Sequence, residues 1–217
     1  INLGLDVLGK RSDGYHEVRM VMQSVGLSDA VEIEEGEGLV VETDHSGLAG
    51  GPDNLAWKAA ELLACCCGKI PNVHIRLNKK IFLAAGLAGG SSDAAAVMRG
   101  LSRLWQLDLT APELEKLAAE LGSDIPFCIT GGTALAEGRG EILTELPEAP
   151  ELLLVLAKPK LEVATGWVYG NFRQQKVNQR PDIDGIIKAL EQSATGLLLE
   201  SCGNVLESVT IPAHPVI

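Results

Sequence analysis

The sequence predicts an α+β chain. Three observations carry that expectation: period-two apolar alternation within residues 2–41, helical periodicity from Leu55 onward, and further strand-like runs interleaved with those helices. With 217 residues, such a chain buries roughly 70% of its extended surface, enough for one large domain or two small ones. Apolar residues make up 46% and charged residues 22%, the balance of an ordinary folded protein.

Leu3, Leu5 and Val7 alternate along Asn2 to Leu8, a strand pattern that ends in the turn Gly9-Lys10-Arg11-Ser12-Asp13-Gly14. Strand-like runs follow near Arg19–Leu27 and Val31–Val41, broken by Ser28-Asp29 and by Gly36 and Gly38. Asp53 is placed to cap a helix bearing Leu55, Ala59, Leu62 and Leu63 and ending before Gly68. Val73–Leu77 is a strand, and after the glycine-rich segment comes a helix with the stripe Val97, Leu101, Leu104. Thr110 with Glu113 forms a capping box for a helix whose apolar face is Leu114, Leu117, Ala118 and Leu121. Strand-like pieces lie at Thr133–Glu137 and Glu141–Leu146, and the unbroken apolar run Leu152–Ala157 predicts a buried strand. From Val163 the pattern is helical. Pro147-Glu148-Ala149-Pro150 reads as a linker, dividing an amino-terminal domain at 1–148 from a second domain at 149–217.

Charge narrows the partners. With 29 acidic against 18 basic residues, the net charge of -11 repels phosphate backbones, so nucleic acid is not an expected partner. The longest apolar stretches are too short to cross a bilayer, so no membrane partner and a cytoplasmic location are expected. The five cysteines include the contiguous Cys65, Cys66 and Cys67, whose neighbours point about 100° apart on a helix and cannot converge on one metal. They read as reduced, small core residues. Ile1 opens the chain without a methionine, and Ile217 follows Pro212-Ala213-His214-Pro215, so both ends read as cut. A monomer or weak homodimer is expected.

An acidic protein binds a triphosphate only where backbone amides, lysines or a metal reverse the local sign. Ala84-Ala85-Gly86-Leu87-Ala88-Gly89-Gly90-Ser91-Ser92, followed at once by a helix, has that character. Glycines let amides converge without a Cβ in the way, and the helix amino terminus adds about half a positive charge. The Ser92 hydroxyl suits a phosphate oxygen or a magnesium ion. A plain glycine turn capped by Ser91 fits the same spacing, and neither the Walker nor the dinucleotide pattern matches. Asp93 is expected to face a metal or solvent, or to cap the helix.

Gly86-Leu87-Ala88-Gly89-Gly90-Ser91-Ser92 resembles the second motif of the GHMP kinases. Three more segments resemble the branch of that superfamily whose acceptor is a cytidylylated methylerythritol: Asn2 to Leu5 with Gly9 to His16, Gly122 to Phe127, and Gly203 to Glu207. The resemblance covers nearly the whole chain. It implies a two-domain fold, with a domain like the second domain of ribosomal protein S5 followed by a truncated ferredoxin-like domain. It also implies ATP and Mg²⁺ as cofactors and phosphorylation of the acceptor's 2-hydroxyl in the non-mevalonate isoprenoid pathway. Asp124 matches the carboxylate that activates this hydroxyl, as phosphoryl transfer requires; by its residues alone it could equally cap the turn before Pro126. Asn2 matches a polar residue beside the hydroxyl, Tyr15 and His16 a wall against cytosine, Tyr169 a second aromatic, Thr165 a hydroxyl near the erythritol, and Asn54 a residue approaching adenine. Each also has an ordinary structural reading: strand end, turn, core or helix start. The family's catalytic lysine would precede Ile1, its third motif would follow Ile217, and Phe82 stands where proline is usual. Two other readings stay open, a homoserine- or mevalonate-kinase type of GHMP enzyme and a catalytically silent nucleotide-binding module.

Overall fold

A computed structural model describes residues 1–217. In chain order it contains β1 (Asn2–Lys10), β2 (His16–Gln23), β3 (Ala30–Glu35), β4 (Leu39–Thr43), α1 (Leu55–Cys66) and β5 (Val73–Asn78). There follow α2 (Gly89–Leu104), α3 (Ala111–Ala118), α4 (Ile125–Thr130), β6 (Thr133–Gly138) and β7 (Ile142–Glu145). The remainder holds α5 (Thr165–Asn171), a 3-10 turn (Gln174–Lys176), α6 (Ile183–Glu191), α7 (Thr195–Ser201), β8 (Gly203–Asn204) and α8 (Glu207–Ala213). The α+β class is borne out. Packing gathers these elements into two compact units, one of Ile1–Ser24, Ala84–Gly86 and Gly131–Ile217, the other of Val25–Leu83 and Leu87–Thr130.

The first unit is built on a sheet in the order β7-β6-β2-β1-β8. β1 pairs antiparallel with β2, Leu5 opposite Met20 and Val7 opposite Val18, so the alternating apolar residues of β1 are buried as expected. The turn between them is fixed by Gly14 at φ +90°, a conformation open to glycine and closed to most residues. Asp13 adds an Asx-type bond, its Oδ1 accepting from the Tyr15 amide at 3.0 Å. β8 runs parallel to β1, pairing Gly203 with Gly4 and Asn204 with Leu5. The short segment Gly203–Glu207 is therefore a sheet edge leading into α8. Leu3, Val21 and Leu135 from the sheet share a core with Ile183, Ile186, Ala189 and Leu190 of α6 and Leu198 of α7.

The second unit has a sheet ordered β3-β5-β4, antiparallel between β3 and β5 and parallel between β4 and β5. Its inner face, Val41, Val73, Ile75 and Leu77, packs with Leu63 of α1, Met98 and Leu101 of α2, Leu114 of α3 and Ile125 of α4. The capping box at Thr110 is present: Glu113 Oε2 accepts from the Thr110 amide at 2.8 Å.

Three expectations are corrected. Leu152–Ala157 forms no strand, and Leu153 and Val155 are 98% and 96% exposed. No strand pairs with it, so its backbone has no ladder partner and Leu153 and Val155 stay bare, while Leu152 packs on the core of the first unit. Cys65 and Cys66 are exposed because they fall on the outer side of the last turn of α1; all five thiols are free. Asn54, not Asp53, caps α1: its Oδ1 accepts from the Ala56 amide at 2.9 Å.

Candidate active site

The glycine-rich segment is a left-handed ladder. Ala84, Gly86 and Ala88 have φ of +50°, +68° and +52°, alternating with ordinary residues. Positive φ at alternate residues is a backbone condition under which successive amides can turn toward one side, as they do in anion nests. Two of the three positions are alanines, which adopt this region only under strain of roughly 1 kcal/mol or more each. α2 begins directly after, with Ala88 as N-cap and no side chain capping it. The Ser92 amide already bonds the Ala88 carbonyl at 2.8 Å, leaving the amides of Gly89, Gly90 and Ser91 as the helix's free donors. The glycines have different jobs. A Cβ on Gly86 would enter open space, whereas one on Gly89 would press on Ile81 at 3.0 Å. Gly86 thus gives the loop its conformation, and Gly89 lets α2 pack closely. Ser91 is half-buried in the first turn and does not cap it; Ser92 Oγ donates to the Gly89 carbonyl at 2.9 Å and keeps its lone pairs.

Asp124 immediately precedes α4, whose Pro126 sits in the first turn, where a missing amide hydrogen does no harm. Its carboxylate is exposed and makes no side-chain hydrogen bond, so it does not serve as the cap of this turn. Desolvation by the surrounding protein raises its proton affinity above the ordinary carboxylate range. A carboxylate of raised proton affinity is better suited to take a hydroxyl proton. Asn54, by contrast, is buried and engaged at both ends, its Nδ2 donating to the Ala49 carbonyl at 2.8 Å while Oδ1 caps α1.

Asp93 is turned away from solvent and does not cap α2. It is 3% exposed and accepts from the Lys79 ammonium at 2.5 Å. Lys79 also contacts Asp29, and all three side chains are buried. Sequence gave no sign of this cluster, since Asn78-Lys79-Lys80 reads as an ordinary solvated strand end and only burial distinguishes Lys79.

The residues expected to flank a cytosine, Tyr15, His16 and Tyr169, all lie in the first unit. The His16 and Tyr169 rings meet at 5.3 Å between centroids, tilted by 33°, and Phe172 lies edge-on to His16 at 6.4 Å. Burial, followed by the nearby Lys10, holds the His16 ring below its usual pKa, so it is neutral at pH 7 and carries one donor and one acceptor. Tyr15, 53% exposed at the tip of the β1–β2 turn, lies under the Arg139 guanidinium at 4.9 Å. Thr165 and Asn2 are exposed at the first positions of α5 and β1 and make no side-chain hydrogen bonds. Trp167 is not core: it is 44% exposed against His214 at 6.0 Å. Phe172 and Arg139 were the members of this group that spacing could not supply.

The pattern of the family described as GHMP kinases N terminal domain matches residues 54–132. The 4-diphosphocytidyl-2-C-methyl-D-erythritol kinase of Acetivibrio thermocellus is 47% identical over 218 aligned residues, covering 100% of this chain and 77% of that protein. This chain belongs to the 4-diphosphocytidyl-2-C-methyl-D-erythritol kinase family. The family member from Brevibacillus brevis is 48% identical, with 99% of this chain and 74% of that protein covered. A crystal structure of 4-(cytidine 5'-diphospho)-2C-methyl-D-erythritol kinase aligns with a TM-score of 0.77 at 32% identity, covering 100% of this chain and 76% of that one. Mevalonate kinase from L. major, at 17% identity and a TM-score of 0.66 over 96% of this chain and 72% of its own, shares the fold. Membership makes this chain an ATP-dependent small-molecule kinase with a GHMP fold. No helix is long and apolar enough to cross a membrane.

Proposed function

We propose that this chain transfers the γ-phosphoryl group of ATP to the 2-hydroxyl of 4-diphosphocytidyl-2-C-methyl-D-erythritol, a step of non-mevalonate isoprenoid synthesis. The acceptor's identity rests on full-length relationship to kinases of that name. The observation that carries the chemistry is the uncapped first turn of α2 directly following a loop of positive-φ residues. Its amides at Gly89, Gly90 and Ser91 and the helix dipole hold the triphosphate and stabilise charge on the transferring group. Ala84, Ala85, Gly86, Leu87 and Ala88 shape the loop. Asn54 supports the nucleotide side indirectly, by fixing the start of α1.

Asp124 takes the proton of the 2-hydroxyl as its oxygen bonds to the γ-phosphorus. The bond from that phosphorus to the β–γ bridging oxygen breaks, and ADP leaves with the electron pair. Tyr15, His16 and Tyr169 hold the cytosine, stacking being worth about 1–3 kcal/mol per base. Neutral His16 offers one donor and one acceptor to the base edge. Asn2 and Thr165 bond the erythritol. No group of three or more His, Cys, Asp or Glu is placed to cage a metal. The Ser92 hydroxyl, which donates to the Gly89 carbonyl and keeps its lone pairs, would supply one of the protein ligands for a magnesium ion bound with ATP, whose charge would help neutralise the phosphates. We further propose that residues 1–148 are the ATP-binding domain and 149–217 the incomplete second domain of the family's sequence, the two sharing the core of the first unit, that the chain is a monomer or weak homodimer, and that it works in the cytoplasm.

ADP release is the test. The cytidylylated methylerythritol should support turnover, homoserine and mevalonate should not, and Asp124→Asn should lower kcat by about 10²–10⁴-fold. ATP binding without turnover in the unsubstituted chain overturns the proposal in favour of a silent nucleotide-binding module.

A further inference from the structure

Lys79 follows directly on β5 just before the phosphate loop, Asp93 lies in the second turn of α2 just after it, and Asp29 precedes β3. Their side chains are 1%, 3% and 2% exposed. One ammonium thus bridges the two ends of the loop, 2.5 Å from Asp93 Oδ2 and in contact with Asp29 Oδ2. The ascending limb is held again from below, because Asp29 Oδ1 accepts from the amides of Lys80 at 2.5 Å and Ile81 at 2.8 Å. The Lys79 amide donates to Asp44 Oδ1 at 2.9 Å. The cluster lies directly against the start of α2: a Cβ on Gly89 would sit 3.0 Å from Ile81 and 3.8 Å from Asp29 Oδ2. Every one of these residues belongs to the second unit.

Burying a lysine with two carboxylates brings little net stability, since desolvation consumes most of the Coulomb gain. What such a cluster provides is geometry. Two carboxylates beneath a phosphate site would repel each other and the triphosphate, and Lys79 holds both while closing the loop between its ends. Asp93 Oδ1 is buried without a hydrogen-bond partner, so Asp93 has no other bond to keep it in place.

We propose that Lys79 is a positioning residue for nucleotide binding, acting through Asp93 and Asp29 to keep the loop and the first turn of α2 in the arrangement that grips the triphosphate. This rests on the kinase reading above, with ATP at that loop. Removing the ammonium leaves two buried carboxylates uncompensated, and the two limbs part; the acceptor, bound elsewhere, is affected little.

The test is ATP affinity by titration calorimetry, with KM and kcat for both substrates, in the wild-type chain, Lys79→Met, Lys79→Arg and Asp93→Leu. Lys79→Met is expected to weaken ATP binding about 10-fold or more, with a matching rise in KM for ATP and a smaller change in kcat and in KM for the acceptor. Lys79→Arg should recover much of the affinity, because it restores the charge between the carboxylates. A folded Lys79→Met chain that binds ATP as tightly as wild type overturns the proposal, as does a loss spread equally over both substrates. Should Lys79→Met fail to fold, Asp93→Leu is measured in its place, since it removes the acceptor of the tie across the loop and keeps the Lys79–Asp29 contact; unchanged ATP affinity there overturns the proposal too. Failure of wild type to bind ATP overturns the kinase reading itself and is a different result from any of these.

Discussion

Asp93 shows how far a residue's environment can depart from its sequence context. Beside Ser91 and Ser92 it reads as a cap or a metal ligand, yet it is buried against Lys79. Burial pushes its carboxyl up to about 6, the Lys79 ammonium opposing this and Asp29 adding to it. Asp29 goes the other way: burial raises it, but Lys79 and the amides of Ile81 and Lys80 outweigh that and leave it below the usual range. One ammonium cannot hold two carboxylates ionised equally, and the one without amide donors takes up the proton first. The Cys128 thiol is pushed up to about 12 by burial first and then by the charge of Asp124 and, less, of Asp93, so it stays neutral. Because the folded value of Asp93 lies above the unfolded one, its stabilising contribution is full below about pH 4 and is lost as pH rises through about 6. Urea midpoints from pH 4.5 to 7.5 should therefore show wild type losing stability over this window relative to Asp93→Asn. Parallel curves would refute the assignment of the proton to Asp93. Asp124 was legible because a motif marked it; Lys79 and Asp29 were not, since nothing in a local pattern distinguishes a buried lysine from a solvated one until its partners, 50 and 14 residues away in sequence, are placed around it.

At the level of elements, the strands and helices that bury one face were readable from periodicity, since the pattern and the burial have one cause. β1, β5, α2 and α3 lie where alternation, helical stripes and the Thr110–Glu113 box put them. Leu152–Ala157 was misread because an apolar run specifies burial only when a partner strand exists to receive it. The left-handed Ala84 and Ala88 were equally hidden, as alanine carries no signal for positive φ. Gly4 went unexplained in sequence, and packing explains it: a Cβ there would lie 2.5 Å from Ile186 Cδ1, 2.8 Å from Ile183 Cδ1 and 3.4 Å from Pro181. Gly4→Ala must push α6 off β1, and overpacking of this kind costs about 1–3 kcal/mol. Guanidinium unfolding will measure it; a midpoint equal to wild type would mean that α6 yields freely.

Across the whole molecule, sequence and packing divide the chain differently. Pro147–Pro150 reads as a linker, but the core of the first unit joins Leu3, Val21 and Leu135 to Ile183, Ile186 and Leu198 from beyond it. Leu146, Ala149 and Leu152 pack on the same core, and the Ala149 amide donates to Thr133 Oγ1 at 3.2 Å. Sequence reading places a boundary where the composition changes, whereas contacts between distant segments are invisible to it. Cutting at a single specific protease site engineered between Glu148 and Ala149 should therefore leave two pieces that co-elute on gel filtration until denaturant is added. Separation under native conditions would show that the shared core contributes little.

The uncovered ribbon from Leu152 to Ala157 sets a limit on how the protein can be handled. At neutral pH the charge of -11 keeps neighbouring molecules apart. Close to the isoelectric point, about 4.8, that repulsion vanishes while the greasy edge at Leu153 and Val155 stays bare. Crowded, mildly acidic solutions will therefore turn cloudy well before the fold itself gives way.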